Sequence, residues 1–392
     1  MKIKLMMFIS LIVMASNLFS MDNSSKKRCE DLSEKSPEKK PKLNEGAELY
    51  SACKAGDLVK VKELVQNKNN LEFVNPESKA RPLHCAVSGG FTEIVRVLLA
   101  AGAEINAVID DDYKETPLLI AVDCECKDIV RELLDHGANS EVIDSEGLTP
   151  LIIAVDRGNK DIVRELLARG ANREVIGSEG LTPLQIASAV GNKDIVALLL
   201  GAKADIEAVD TDGAMPLHYA ASGGFVDVIE LLLNAKADIK AVDKVGAGPL
   251  HHASFDGRLD AAKYLLSKGA RLTAINNDQL NAMDYAGIRE AKESDTIDRL
   301  DKTLEYFDTY LAKKKGIKEK AECQLCQDKR FCVEMLSNCD HKLCITCLRR
   351  LRHQFWQATQ MEADDRGEDP VMLEVFQKGP KCPICRQMIS LY

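Results

Sequence analysis

The chain has 392 residues, 45% of them hydrophobic, 29% charged and only 5% aromatic, with a single Trp. It is too long for one ordinary core, and these proportions exclude both a wholly disordered chain and a polytopic membrane protein. The net charge is -9. Residues 46–316 carry -13 of it and the flanks are mildly basic, which argues against nucleic acid as a partner and for basic protein surfaces.

The N-terminus opens with Lys2 and Lys4 ahead of an apolar run from Leu5 to Ala15. That run is short for a bilayer span and has the layout of a secretory signal peptide over 1–20, with cleavage near Ser20. A membrane anchor is one alternative. Translation from Met21, which would leave a cytoplasmic chain, is the other. No stable membrane span is expected once the leader is removed. Residues 21–46 lack hydrophobic periodicity and read as a disordered, mixed-charge linker. Within it, Lys26-Lys27-Arg28 and Lys39-Lys40-Pro41-Lys42, with ten positions between them, resemble a bipartite nuclear localisation signal. A solvated linker is the plainer reading. A leader and a nuclear signal are compatible in a protein that an intracellular bacterium exports into a eukaryotic host, to cytosol or nucleus.

Self-similarity governs the middle of the chain. Thr116-Pro-Leu-Leu-Ile-Ala-Val recurs as Thr149-Pro-Leu-Ile-Ile-Ala-Val and Thr182-Pro-Leu-Gln-Ile-Ala-Ser, then from Met215 and from Gly248, at even intervals. Arg81 begins the same unit, and Ala47 and Asn281 begin degenerate flanking ones, eight in all. Thr before Pro is an N-cap followed by the residue best suited to a first helical position. A short helix follows, burying Leu118 and Ala121 in the unit from Thr116. Gly at the tenth position (Gly90, Gly158, Gly191, Gly224, Gly257) ends it. A second helix opens with an acid, such as Asp128 or Asp161, that complements the helix dipole. Ile129, Val130, Leu133 and Leu134 form its apolar stripe. Gly147, Gly180, Gly213 and Gly246 then mark a hairpin turn.

These units resemble the ankyrin repeat over residues 47–312. The resemblance implies a solenoid whose hairpin tips and first helices form a concave face for a protein partner, here an unknown substrate. It also implies a structural role for His84, His218, His251 and His252, bonding between units. Lys203 and Lys236 replace the Gly found at 137, 170 and 269, so those junctions are expected to be strained or reshaped. Asp110-Asp111-Asp112-Tyr113 lengthens one hairpin, as a tolerated insertion or as an acidic finger for a basic partner. Cys53 and Cys85 read as small hydrophobes on first helices, and Cys124 and Cys126 are poorly spaced for ligation.

Beyond the repeats, Ile297, Leu300, Leu304, Phe307 and Leu311 share one helical seam, either capping the last repeat or forming a short homodimer coil. Residues 313–322, starting Lys313-Lys314-Lys315-Gly316, read as a hinge.

Eight of the thirteen cysteines lie from Cys323 onward. Cys323, Cys326, Cys339, His341, Cys344, Cys347, Cys382 and Cys385 form closely spaced pairs, seven thiols and one imidazole, enough for two tetrahedral Zn2+ ions. Spacing alone leaves interleaved and sequential sites both open. The order of donors resembles the RING finger over residues 323–386. That resemblance implies a cross-brace, with Cys323, Cys326, Cys344 and Cys347 on one ion and Cys339, His341, Cys382 and Cys385 on the other. It further implies a ubiquitin ligase without covalent intermediate, whose partner is a ubiquitin-charged conjugating enzyme. Leu325, Pro383 and Ile384 match that family's contact surface, and Arg386 its linchpin position. Trp356 lies nine positions past Cys347, later than the family's usual Trp, and belongs either to the contact groove or to core packing.

The expectation is thus a mainly α chain: an ankyrin-repeat solenoid followed by a small two-zinc RING domain in 323–392. The array would recruit a substrate and the RING module the charged conjugating enzyme. A non-catalytic scaffold with a zinc-stabilised second interaction module is the alternative.

Overall fold

The computed structural model describes residues 45–288 except 111, 178 and 279, residues 302, 303, 306 and 310, and the backbone of four short strands between 321 and 344. The chain divides into two bodies: Met1–Ala220 with Asp227–Asp238, and Ala221–Val226 with Ile239–Tyr392.

Seven two-helix units and one further helix make up the described array. They are α1 (Glu45–Ala55) and α2 (Leu58–Leu64), α3 (Pro82–Ser88) and α4 (Thr92–Ala101), α5 (Pro117–Asp123) and α6 (Lys127–Asp135), and α7 (Pro150–Asp156) and α8 (Lys160–Ala168). Then come α9 (Pro183–Val190) and α10 (Lys193–Gly201), α11 (Pro216–Gly223) and α12 (Val226–Asn234), α13 (Pro249–Phe255) and α14 (Leu259–Ser267), and finally α15 (Ala282–Ile288).

The unit from Thr149 shows why the sequence folds this way. The Thr149 hydroxyl accepts from Ile152 N–H, and Pro150 occupies the first helical position, where no N–H is needed. Gly158 reverses the chain at φ 71°. Asn159 caps α8 by accepting from Ile162 N–H at 3.3 Å, and Asp161 sits in its first turn. Leu151, Ala154 and Val155 of α7 and Ile162, Val163 and Leu166 of α8 are all buried. In the first body, first helices pack on first helices of the next unit, so the core runs on from unit to unit. Leu118 and Ala121 are buried as their spacing predicts, and so are Ile129, Val130, Leu133 and Leu134.

Three junctions break the sequence pattern yet keep the backbone. Lys203 and Lys236 adopt φ 65° and 80°, beside 87° and 83° at Gly137 and Gly170. They are strained and not reshaped: each unit keeps its turn, and the lysine accepts a left-handed backbone. Glu125, at a tenth position that lacks Gly, likewise takes φ 56°.

Several connectors turn on an acid. Asp144 Oδ1 accepts from Glu146 N–H and Leu148 N–H at 2.9 and 2.8 Å, and Asp210 and Asp243 repeat the arrangement two and three units further on. The unit between has Gly177 at that place, and there the backbone closes the turn, Gly177 N–H donating to Leu181 C=O at 3.1 Å. The longer connector closes where Ile109 N–H donates to Glu115 C=O at 2.9 Å.

In the second body, β1 (Ala321–Glu322) pairs antiparallel with β2 (Lys329–Arg330), and β3 (Cys332–Glu334) with β4 (Lys342–Cys344). The register sets Cys332 opposite Cys344 and Glu334 opposite Lys342. Lys302, Thr303, Tyr306 and Tyr310 are helical, whereas the predicted seam of Ile297, Leu300, Leu304, Phe307 and Leu311 lies outside the described residues. So do the leader and the basic linker up to residue 44.

Candidate functional site

In the units from Arg81, Thr182 and Gly248, the fourth residue stitches one unit to the next. His84 Nδ1 accepts from Arg81 N–H at 3.2 Å, which leaves the Nε2 proton to donate to Ala107 C=O at 2.9 Å. His251 repeats this with Gly248 N–H at 3.0 Å and Ala274 C=O at 3.1 Å. Gln185 does the same with an amide: Oε1 accepts from Thr182 N–H, and Nε2 donates to Ala208 and Ala214 carbonyls. Both histidine bonds require the neutral ring. Burial, then the neighbouring His252, push the His251 pKa down to about 4. These rings are structural, as their position in the unit implies.

A second stitch runs from the fifth residue to a connector side chain nine positions earlier. Tyr219 Oη donates to Asp210 Oδ2, His252 Nε2 lies 3.0 Å from Asp243 Oδ2, and Asn276 Nδ2 donates to Tyr285 Oη at 2.9 Å. Burial drives the Tyr219 phenol upward, and Asp210 adds to the shift, so it is a pure donor. The pairs recur in the three successive units from Met215, Gly248 and Asn281. Asp210, Asp243 and Asn276 carried a readable signal in their own period, which a reading focused on the glycines misses.

A third stitch joins successive connectors in the first body. Glu72 Oε1 accepts from Glu104 N–H, Asn106 Oδ1 from Asn139 N–H, Glu141 Oε1 from Asn172 N–H and Glu174 Oε1 from Asp205 N–H, all at 2.9–3.0 Å. Ser145 N–H also donates to Tyr113 C=O at 3.1 Å, tying the longer connector to its neighbour. The connectors form a fixed edge, and that edge is acidic. The four connectors 104–115, 137–148, 170–181 and 203–214 hold fourteen acids and three bases.

Ion pairs span units along the second helices. Arg96 reaches Glu132, Arg131 reaches Glu165, and Lys127 and Lys160 reach Asp161 and Asp194. Asp161 and Asp194, in the first turns of their helices, thus serve the helix dipole and a neighbouring unit at once.

A family model described as "Ankyrin repeats (3 copies)" matches at residues 49–144, 138–210 and 189–276, together more than half of the chain. The chain is an ankyrin-repeat protein. Among curated relatives, "Ankyrin repeat and KH domain-containing protein mask" of Drosophila melanogaster is 35% identical over 104 residues, 26% of this chain and 3% of that protein. The human "Ankyrin repeat and KH domain-containing protein 1" is 34% identical over 104 residues, 26% of this chain and 4% of that protein. The chain therefore matches a small fraction of the length of each. The ankyrin-repeat domain of Bcl-3 superposes with a TM-score of 0.49 at 29% identity, covering 57% of this chain and 99% of that domain.

Within the ankyrin array, Cys53 and Cys85 are buried and free, and burial pushes the Cys85 thiol up to about 11 and the Cys53 thiol higher still. They are inert core residues. No group of three or more His, Cys, Asp or Glu side chains among the described residues is placed to hold a metal, and no described helix is long and apolar enough to cross a membrane. The eight expected zinc donors and Leu325, Trp356, Pro383, Ile384 and Arg386 have side chains outside the described residues. The backbone nearest them comprises the two hairpins, β1–β2 on either side of Cys323 and Cys326 and β3–β4 ending at Cys344.

Proposed function

We propose that this ankyrin-repeat protein acts by binding another protein along the connector edge and first helices of its array. The observation that carries this reading is the stitched connector edge. Its backbone groups are bonded from unit to unit, so the connector backbone is held in place before a partner arrives, which reduces the ordering cost of binding. A pull-down with the full chain tests it. Retention of a specific protein supports the reading when an excess of free chain competes it away. Retention of nothing above an inert bead control rejects it.

A finer reading adds catalysis at the C-terminus. Support comes from the donor set: seven thiols and one imidazole, in closely spaced pairs, suit Zn2+, and a hairpin flanks the first pair. Cys323, Cys326, Cys344 and Cys347 would hold one ion, and Cys339, His341, Cys382 and Cys385 the other. Bound zinc would supply structure, with apparent binding on the order of 10–16 kcal/mol per site. Leu325, Pro383 and Ile384 would then meet a ubiquitin-charged conjugating enzyme, with Trp356 in or behind the groove. The planar fork of Arg386 would bridge that enzyme and its ubiquitin. Catalysis would be by positioning, with the substrate lysine presented from the array.

An autoubiquitination assay over a panel of conjugating enzymes separates ligase from scaffold. Arg386→Ala is expected to lower the rate at unchanged zinc content, and Cys382→Ser to abolish both activity and full metal loading. Inactivity across the panel, with zinc bound, leaves the scaffold alone.

A further inference from the structure

Nine large hydrophobic side chains stand out in water among the described residues, and eight of them sit on connectors. Their register is regular. Ile143, Ile176 and Val209 hold the same place in successive units, and Val108 holds it one unit earlier, before the two-residue insertion. These four belong to the first body and are 50–63% exposed. Val242 and Ile275 continue the register in the second body. Single exposed apolar residues need no explanation, but a β-branched side chain repeated at one position of successive connectors is a stripe.

Acids outnumber bases around the four rungs of the first body. Glu141, Glu174 and Glu207 lie two positions before Ile143, Ile176 and Val209, and Asp110 lies two after Val108. Glu141 and Glu174 are anchored to the backbone of the next connector, so their carboxylates and the apolar rungs keep a fixed spacing. The turn acids are fixed as well, because Asp144 and Asp210 each hold two backbone N–H groups. An anionic ligand would be repelled here, and a purely apolar ligand would have to desolvate the carboxylates.

We infer that the rungs Val108, Ile143, Ile176 and Val209, with their flanking carboxylates, are a docking ladder for an amphipathic protein segment that carries Lys or Arg beside an apolar face. This rests on the protein-binding reading above and names the class of partner. Charge complementarity selects the occupant: the connectors supply negative charge beside each apolar rung, so a cationic, apolar segment satisfies both.

The test uses the full chain and three dye-labelled 18-residue peptides read by fluorescence anisotropy. One is a Lys/Leu peptide patterned as an amphipathic helix. Its Lys/Ser counterpart has equal charge, and its Glu/Leu counterpart has equal apolarity. The Lys/Leu peptide is expected to bind at least tenfold more tightly than either control, and less tightly as salt rises. Ile143→Ser with Ile176→Ser and Val209→Ser should weaken it at least tenfold. Val59→Ser, an exposed valine on α2 away from the ladder, should leave it unchanged. Equal binding of the Lys/Ser peptide would reduce the ladder to charge alone and overturn the inference, as would indifference to the triple substitution or no binding at all. A chain that still retains a protein in the pull-down but fails these peptide tests keeps the broader reading and loses this one.

Discussion

At residue scale, the neutral ring of His251 makes a pH-dependent staple. Its folded-state pKa of about 4 lies below the ordinary value of 6.5, so the unfolded chain binds the extra proton more readily. Stability from this group is therefore complete above pH 6.5 and is lost as pH drops from there through 4, by about 3 kcal/mol in all. Gln185 already makes the same bonds in its own unit, so His251→Gln is expected to retain stability at neutral pH and flatten the loss between pH 6.5 and 4. Urea unfolding across that range measures both. Lys203→Gly and Lys236→Gly should each raise stability by about 1 kcal/mol, since the residues already sit at positive φ. The bond from Arg173 to Lys203 is to the backbone carbonyl and survives the change. If thermal unfolding shows the glycine variants less stable, the strain at these junctions is released elsewhere. The two lysines were legible as oddities in the sequence. That the chain would keep its turn there was not, because a cost of about 1 kcal/mol per junction is smaller than the burial that the turn preserves.

At the scale of an element, the boundaries of each helix follow from local chemistry and could be read directly. Thr-Pro starts and the four-residue apolar spacing place α5 to α10, and glycine marks the ends of α6 to α9. What joins one unit to another was less visible. The connector bonds from Glu72 to Glu104 or from Asn106 to Asn139 pair an ordinary surface side chain with a backbone N–H one unit away, and no local pattern marks either partner. The tether from Tyr219 to Asp210 differs, since it joins two side chains and its acid recurs with the repeat period. Tyr219→Phe would leave a half-buried carboxylate oxygen short of a donor, and thermal unfolding should report a loss of about 1 kcal/mol. Thr149→Ala removes only a cap and should cost about 1 kcal/mol by the same measurement. The inter-unit ion pairs are exposed enough that Glu165→Gln should cost less than about 1 kcal/mol.

At the scale of the whole molecule, two kinds of cohesion are set end to end. The array closes its core with leucine, isoleucine, valine and alanine, and needs no ion for it. The proposed C-terminal module has short strands and a donor-rich sequence, and would depend on metal. Treating the full chain with a strong chelator is therefore expected to release close to two zinc ions per chain while helical circular dichroism stays nearly constant. A collapse of the helical signal would contradict this division, and an absence of released zinc would remove the module's metal altogether. The acidic body and the eight donors were both evident in composition and spacing. The apolar rungs were not, because Val and Ile recurring once per unit look like core until exposure is known.

The four connector stitches made by Glu72, Asn106, Glu141 and Glu174 point one way, an acceptor side chain in one unit reaching the backbone amide of its successor. Such a bond does not ask which successor it meets, provided an amide arrives at the same register. Asn139 and Asn172 occupy equivalent places, so excising residues 139–171 would hand the Asn106 acceptor directly to Asn172. The gene can thus gain or shed a block one unit long without breaking the seam, and the count of rungs offered to a partner becomes a length that unequal recombination could tune.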